Sequence, residues 1–243
     1  MIKDEQRIVC GCEILPMTQQ DLTAAAALYR AVAVTRENHR LRLKEGQHSF
    51  RSHGGMFQIQ DLTVLTKLLH DPREHVRLAW YNGEPRGLLW FGSWEAEAFA
   101  GLEPFPESGC ESDVLRCLGS QGLLGYAKEI IVTPPAPSRV TARQLCLEMM
   151  LFFERSGKPY VTGEVYKVTE FEDESGQHSC DMLNMASYST LLQTGGKPLG
   201  QTPPRKMVLD GFSVTVRPQI FLWESANSVR LLQSLLPRTE ETQ

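Results

Sequence analysis

Apolar residues dominate 8–15, with Cys10 and Cys12 in alternating positions, and the stretch reads as a short strand. The pattern then turns helical over 22–34, where Leu22, Ala25, Ala26, Leu28, Tyr29 and Val32 make one stripe behind Asp21, a capping or first-turn acid. A second helical stripe, Leu62, Leu65, Leu68 and Leu69, runs through 59–70. Two strand-like runs, 76–81 and 86–91, flank Asn82-Gly83, a dipeptide favoured in tight hairpin turns, with Glu84 and Pro85 lengthening the connection. Over 93–122 the rhythm breaks. Gly101, Pro104, Pro106, Gly109 and Gly119 separate short apolar pieces around a short helix at 111–118, too few to build a core of their own, so the segment reads as an exposed insertion. A strand at 124–132, a proline-rich turn, a helix at 141–155 stopped by Gly157-Lys158-Pro159, and a strand at 160–165 then form a strand-loop-helix-strand unit. After an acidic loop with Glu170, Glu172, Asp173 and Glu174 come a helix at 182–194, strands at 205–209 and 214–223, and a C-terminal helix at 226–236.

With 243 residues, 42% hydrophobic and 22% charged, the chain suffices for one substantial core. The expected organisation is a single domain over 1–243 with insertions near 36–57, 93–122 and 167–181. A net charge of -4 argues against a surface that is wholly a nucleic-acid footprint. One basic stretch, Arg36, Arg40, Arg42, Lys44 and Arg51, is either a solvated face or a surface for a phosphate or a partner. No run approaches the roughly 18 apolar residues of a membrane helix, and the polar start does not resemble a signal peptide, so a soluble cytoplasmic protein is expected. Cys10 and Cys12 would share a strand face without a third ligand, and the histidines show no ligand spacing, so no metal site is expected. Trp90, Trp94 and Trp223, as core or interface residues, leave a homodimer open.

Two places carry candidate chemistry. A helix beginning near Thr141 leaves backbone N–H groups without internal partners, able to point at a pyrophosphate. The loop before it supplies the Ser138 hydroxyl and the Arg139 charge, while β-branched Val140 suits neither positive φ nor close phosphate approach. The same features also fit an ordinary helix after a proline turn. The second place is Glu129, inside a strand otherwise made of Ile130, Ile131 and Val132, where a carboxylate must be edge-exposed, paired or functional. Simple alternation puts Glu129 with Ala127 and Ile131, opposite Ile130 and Val132. A salt bridge to Lys128 or Arg86 is the alternative to a functional role.

The element order resembles that of the GNAT acyltransferase superfamily over roughly residues 12–223, and two short motifs strengthen the resemblance. Ile130-x-Val132-x-Pro134 is similar to the opening of the family's acyl-CoA segment, with Arg139, Val140, Ala142, Arg143 and Leu145 on its phosphate-loop and helix positions. Glycine is usual where this chain has Val140. Asn184-x-x-Ser187, Leu191 and Gly195-Gly196 are similar to its late asparagine, small-residue, tyrosine and glycine pattern, with Leu191 where tyrosine is common.

The resemblance implies an α/β (α+β) fold with a mixed, largely antiparallel central sheet, helices on both faces, and diverging strands 124–132 and 160–165. It implies transfer from acetyl-CoA, or another acyl-CoA, to a small-molecule amine. The cofactor would be held by Ile131 and Val132, by Ser138, Arg139, Val140, Thr141, Ala142 and Arg143, and by Asn184 and Ser187. Glu129, directly or through water, would act as general base. Tyr188, three residues from the family's tyrosine position, would be the general acid. Asn184 suits helix capping equally well. A catalytically silent GNAT-like module that binds acyl-CoA or a protein partner is the competing expectation, favoured by Val140 and Leu191.

Overall fold

The computed structural model describes residues 8–9, 12–35, 50, 55–58, 60–93, 100–106, 112–209 and 211–236. Their elements are β1 (Ile8–Val9), β2 (Cys12–Pro16), α1 (Leu22–Val32), α2 (Leu62–His70), β3 (Glu74–Tyr81), β4 (Glu84–Ser93), β5 (Glu103–Pro104), α3 (Ser112–Ser120), β6 (Leu124–Val132), α4 (Ser138–Arg155), β7 (Tyr160–Asp173), β8 (Gly176–Leu183), α5 (Met185–Gln193), β9 (Lys197–Gln201), β10 (Arg205–Leu209), β11 (Phe212–Glu224) and α6 (Ser225–Leu235).

These strands form one sheet in the order β1-β2-β3-β4-β6-β7-β11-β9-β5, with β8 on β7 and β10 on β11. Its pairings are antiparallel except for β6 with β7, which run parallel only from Leu124↔Tyr160 to Ala127↔Gly163. Past that rung the two strands part. β6 stays with β4, while β7 continues along β11 and gives its other edge to β8.

Each face of the sheet buries an apolar stripe. On one side α1 and α2 bring Leu22, Ala25, Leu28, Tyr29 and Leu65 against Leu78, Leu88 and Ile131. On the other, α4 and α6 bring Leu145, Met149, Phe153, Val229 and Leu232 against Leu89, Phe91, Val161, Phe221 and Trp223. Burying each such side chain is worth about 1.5–3 kcal/mol. A third cluster, Val34, Phe50, Phe57, Val168, Met182, Val214 and Val216, lies beyond the fork where β8 and β10 widen the β7–β11 ribbon. Among the described residues no helix is long and apolar enough to cross a membrane.

The sheet and the helices on both its faces agree with the sequence expectation, and several local readings need correction. Asn82 and Gly83 turn with φ of 52° and 79°, and Tyr81 pairs directly with Glu84. Glu84 and Pro85 therefore belong to the strand, and the extra residue is absorbed as a bulge at Arg86. The expected acidic loop at 167–181 is a hairpin of β7 and β8. Glu170 and Glu172 are strand residues with cross-strand partners: Thr215 Oγ1 lies 3.4 Å from Glu170, and Ser213 Oγ 3.4 Å from Glu172, while Glu174 is in the turn. A register shift between Val168 and Glu170 interrupts the period-two signal that would have revealed the strand.

The helix expected from residue 182 starts at Met185 because β8 runs on to Leu183, and the helix expected from 141 starts at Ser138. β9 went unread because Pro198 and Gly200 look like breakers. At Gly200 a Cβ would fall 2.3 Å from the Glu103 carbonyl, so glycine is what lets β5 pair there. Trp223 is a core residue, and Trp90 packs under α1 and α2. Cys10, Trp94 and the basic residues Arg36, Arg40, Arg42, Lys44 and Arg51 lie outside the described residues.

Candidate active site

The fork between β6 and β7 is opened by a bulge. Trp90 pairs with Glu129 and Phe91 with Ala127, which leaves Lys128 as an extra residue on β6. An extra residue bends its strand and inverts the alternation of faces. Ala127 accordingly packs with the α4 side, whereas Ile131 packs with the α1 side, where Glu129 also bonds. Simple alternation had joined Glu129 to both neighbours. The bulge keeps Ile131 and removes Ala127.

The same strand supplies an unpaired edge. Thr133 N–H donates to Arg86 C=O at 2.7 Å, which marks residue 133, and by ladder alternation Ile131 and Glu129, as bonded to β4. The amides of Ile130 and Val132 therefore turn toward the gap. Of Ile131 and Val132, both expected from sequence to hold the cofactor, Ile131 spends its amide on β4 and Val132 turns its amide to the opening.

Lys128 pins the bulge. Its Nζ lies 2.9 Å from Glu74 Oε1 and 5.0 Å from the centre of the Trp90 ring, and Trp90 Nε1 donates to the same carboxylate at 2.5 Å. Both members of this ion pair are close to fully buried, where each offsets the desolvation of the other. Neither suggested salt bridge to Glu129 is the one formed: Lys128 pairs with Glu74, and Arg86 with Glu84.

Glu129 instead sits under two polar groups from the helical layer. Tyr29, fully buried on α1, donates its hydroxyl to Oε2, and Gln60, just before α2, donates Nε2 to Oε1 at 3.2 Å. Burial pushes the Glu129 carboxyl up to about 7, while the bonds from Tyr29 and Gln60 and the charge of Lys128 hold it from going higher. The Tyr29 hydroxyl is raised by burial first and by the Glu129 charge second.

A second carboxylate stands across the fork. Glu164 is the first β7 residue past the last rung with β6. Tyr166 Oη donates to its Oε1 at 2.9 Å, and Arg205 Nη1 lies 3.6 Å from Oε2. Burial raises the Glu164 carboxyl, opposed by Arg205 and Tyr166. Glu129's charge also reaches Tyr166, so the two Glu–Tyr pairs share one electrostatic neighbourhood. Phe57 stands over Tyr166 with ring centres 6.1 Å apart.

On the opposite face, α4 opens toward the same end of β6. Its N-cap is Pro137, and no side chain caps it. Thr141 N–H already donates to Pro137 C=O at 3.0 Å, and Thr141 and Ala142 are buried, with Thr141 Oγ1 3.4 Å from Cys12 Sγ. The helix amides that precede the first internal donor are thus those of Ser138, Arg139 and Val140, one turn earlier than the sequence placed them. Val140 needs no positive φ, being inside the helix, and its side chain packs on the α4-side core. Arg139 is exposed, and Arg143 ties α4 to α5 through Gln193 Oε1 at 2.9 Å.

Asn184 caps α5, its Oδ1 accepting from Ser187 N–H at 3.1 Å. Tyr188 is half-buried on the α4 side, edge-on to Phe221 with ring centres 5.3 Å apart. Glu129 and Tyr188 therefore approach from opposite faces of the sheet.

Solved acetyltransferase structures superpose on most of this chain. A candidate phosphinothricin N-acetyltransferase does so with a TM-score of 0.53 over 88% of this chain and 98% of its own, at 10% identity. A candidate acetyltransferase from Salmonella typhimurium, solved with its cofactor acetyl-CoA, gives 0.50 over 88% and 94%, at 15% identity. One from Staphylococcus epidermidis gives 0.50 over 87% and 98%, at 9% identity. The chain has the GNAT acetyltransferase fold. No protein-family model matches the sequence, and no curated protein matches it as a relative.

Within this GNAT fold, sequence reasoning missed Tyr29, Gln60, Glu164 and Tyr166. Tyr29 was counted in an apolar stripe because its ring is indeed core. Glu164 had a usable signal: like Glu129, it is a carboxylate inside an apolar strand, between Val161 and Val165.

Proposed function

We propose that the protein is a divergent GNAT-superfamily enzyme, a single domain that transfers an acyl group from acetyl-CoA, or another acyl-CoA, to a small-molecule amine. The observation that carries this reading is Glu129, a carboxylate pushed up to about 7 at the mouth of a fork whose β6 edge β7 leaves unpaired. A group with that pKa is half ionised near neutrality, the range in which a general base works best.

The residues present fit an acyl-CoA. The first turn of α4 has no side-chain cap, and its Ser138, Arg139 and Val140 amides, with the exposed Arg139 guanidinium, suit a pyrophosphate. Bound acyl-CoA would supply an activated thioester carbonyl. The Val132 and Ile130 amides would donate to the carbonyl oxygen as charge develops on it. Glu129, directly or through one water, takes the proton of the attacking amine as the C–N bond forms. Tyr188, on the other face of the sheet, would be the proton source for the departing thiolate. Tyr29 and Gln60 hold the Glu129 carboxylate in place and tune it. Arg143, Asn184 and Ser187 enter as supports of α4 and α5, and Thr141 and Ala142 through packing.

The reading includes a soluble, cytoplasmic protein and gives no part to nucleic acid. Its test is free-thiol release from acetyl-CoA over a panel of amines, with loss of turnover in Glu129→Gln. One observation favours the silent module instead: Leu191, at the position where the family commonly has tyrosine, is buried in the core. That alternative predicts acetyl-CoA-dependent thermal stabilisation with no turnover of any amine.

A further inference from the structure

The proton transfer assigned to Glu129 leaves the other carboxylate of the fork without a task. The Glu164 side chain is 9% exposed, and its two oxygens are treated unequally. Oε1 accepts from Tyr166, while Oε2 is shut off from solvent and accepts no hydrogen bond among the described residues. Arg205 comes from a side chain that is 39% exposed and stops 3.6 Å short, beyond hydrogen-bond reach. A buried carboxylate oxygen with an ion-pair partner but no hydrogen bond is costly to fold around. At the point where β6 and β7 part, a donor carried by a ligand that enters the fork would relieve it. Glu164 directly follows Gly163, whose rung with Ala127 is the last before the fork, and Glu129 follows Ala127 by two residues, so whatever reaches Glu164 Oε2 lies at the mouth of the fork that holds Glu129. A neutral donor would leave the buried Glu164 charge with Arg205 as partial compensation. A cationic nitrogen supplies both the hydrogen bond and the charge.

We infer that Glu164 is the acceptor-orienting residue, its Oε2 receiving an N–H of a second, cationic nitrogen while Glu129 faces the nitrogen to be acylated, so that the acceptors are diamines or similarly doubly basic small molecules. No bond is made or broken at Glu164. The acylation half of this inference rests on the acyltransferase reading, and the recognition of a dication does not.

The experiment pairs linear α,ω-diaminoalkanes with monoamines of the same chain length. Binding to the full chain is read by calorimetry and thermal shift without acyl-CoA, and turnover by thiol release with acetyl-CoA. The expected result is preference for a diamine by about tenfold or more in Kd and KM, the scale of one charge-assisted hydrogen bond. Glu164→Gln should collapse that preference, with the KM values of diamine and monoamine converging. Glu164→Asp, which withdraws the carboxylate by one methylene, should restore a preference shifted toward longer diamines, a response that a purely structural Glu164 would not give. Equal affinity for diamine and monoamine in the wild type, or an undiminished preference in a folded Glu164→Gln protein, overturns the inference. Diamine-selective binding with no thiol release would uphold this site and remove the enzymatic reading alone.

Discussion

Replacing Glu129 by glutamine tests the electrostatic core of the site without changing its shape. The carboxyl moves from 4.5 to about 7 on folding, with burial as the main cause. Each pH unit of that difference is worth about 1.4 kcal/mol, so holding Glu129 ionised in the folded chain costs roughly 3 kcal/mol. Because the folded value lies above the unfolded one, the stability tied to the protonated form is complete below pH 4.5, falls as the pH rises toward 7 and is flat beyond. Glutamine keeps an oxygen to accept from Tyr29 and carries no charge. Guanidinium unfolding midpoints should therefore nearly coincide for the two proteins near pH ~5, and near pH ~9 the variant should be more stable by up to roughly 3 kcal/mol. Every other titrating group is common to both chains, so the pH dependence of the difference isolates Glu129. Thiol release should be lost, and the wild-type rate should rise with pH through about 7. A stability difference that does not change with pH, or a variant less stable at alkaline pH, would refute the placement of this carboxylate as a buried, destabilised base.

Tyr29→Phe removes a bond that lowers the Glu129 pKa, so the acid limb of the pH–rate profile should move to higher pH, with activity at neutrality falling several-fold and the fold retained. Arg139→Glu should weaken acetyl-CoA binding at low salt, and the difference from wild type should shrink as ionic strength rises, as titration calorimetry at two salt concentrations would read. Gly125→Ala should destabilise the base of the fork by about 1–3 kcal/mol or more in denaturant unfolding, because the new Cβ would fall 2.5 Å from the Phe153 ring.

Local chemistry was enough to read most of the framework. Apolar stripes at helical spacing found α1 and α2, Asn82-Gly83 found the β3–β4 hairpin, and the run Ile130, Ile131 and Val132 around Glu129 marked β6 and the one residue in it that needed an explanation. Those signals are legible because sterics, burial and turn geometry act within a few residues. Element boundaries and paired edges were not: the Lys128 bulge, the stretch shared by β6 and β7 and the β7–β8 hairpin depend on partners far along the chain, and no periodicity within one strand reveals them. The site is the extreme case. Glu129 meets Tyr29 across 100 positions of sequence and Gln60 across 69, so its pKa is set by neighbours that only packing brings together. A single strand can show that a carboxylate is misplaced. Whether burial, a tyrosine or a lysine decides its protonation is a property of the three-dimensional surroundings, because desolvation and Coulomb forces act through space rather than along the backbone.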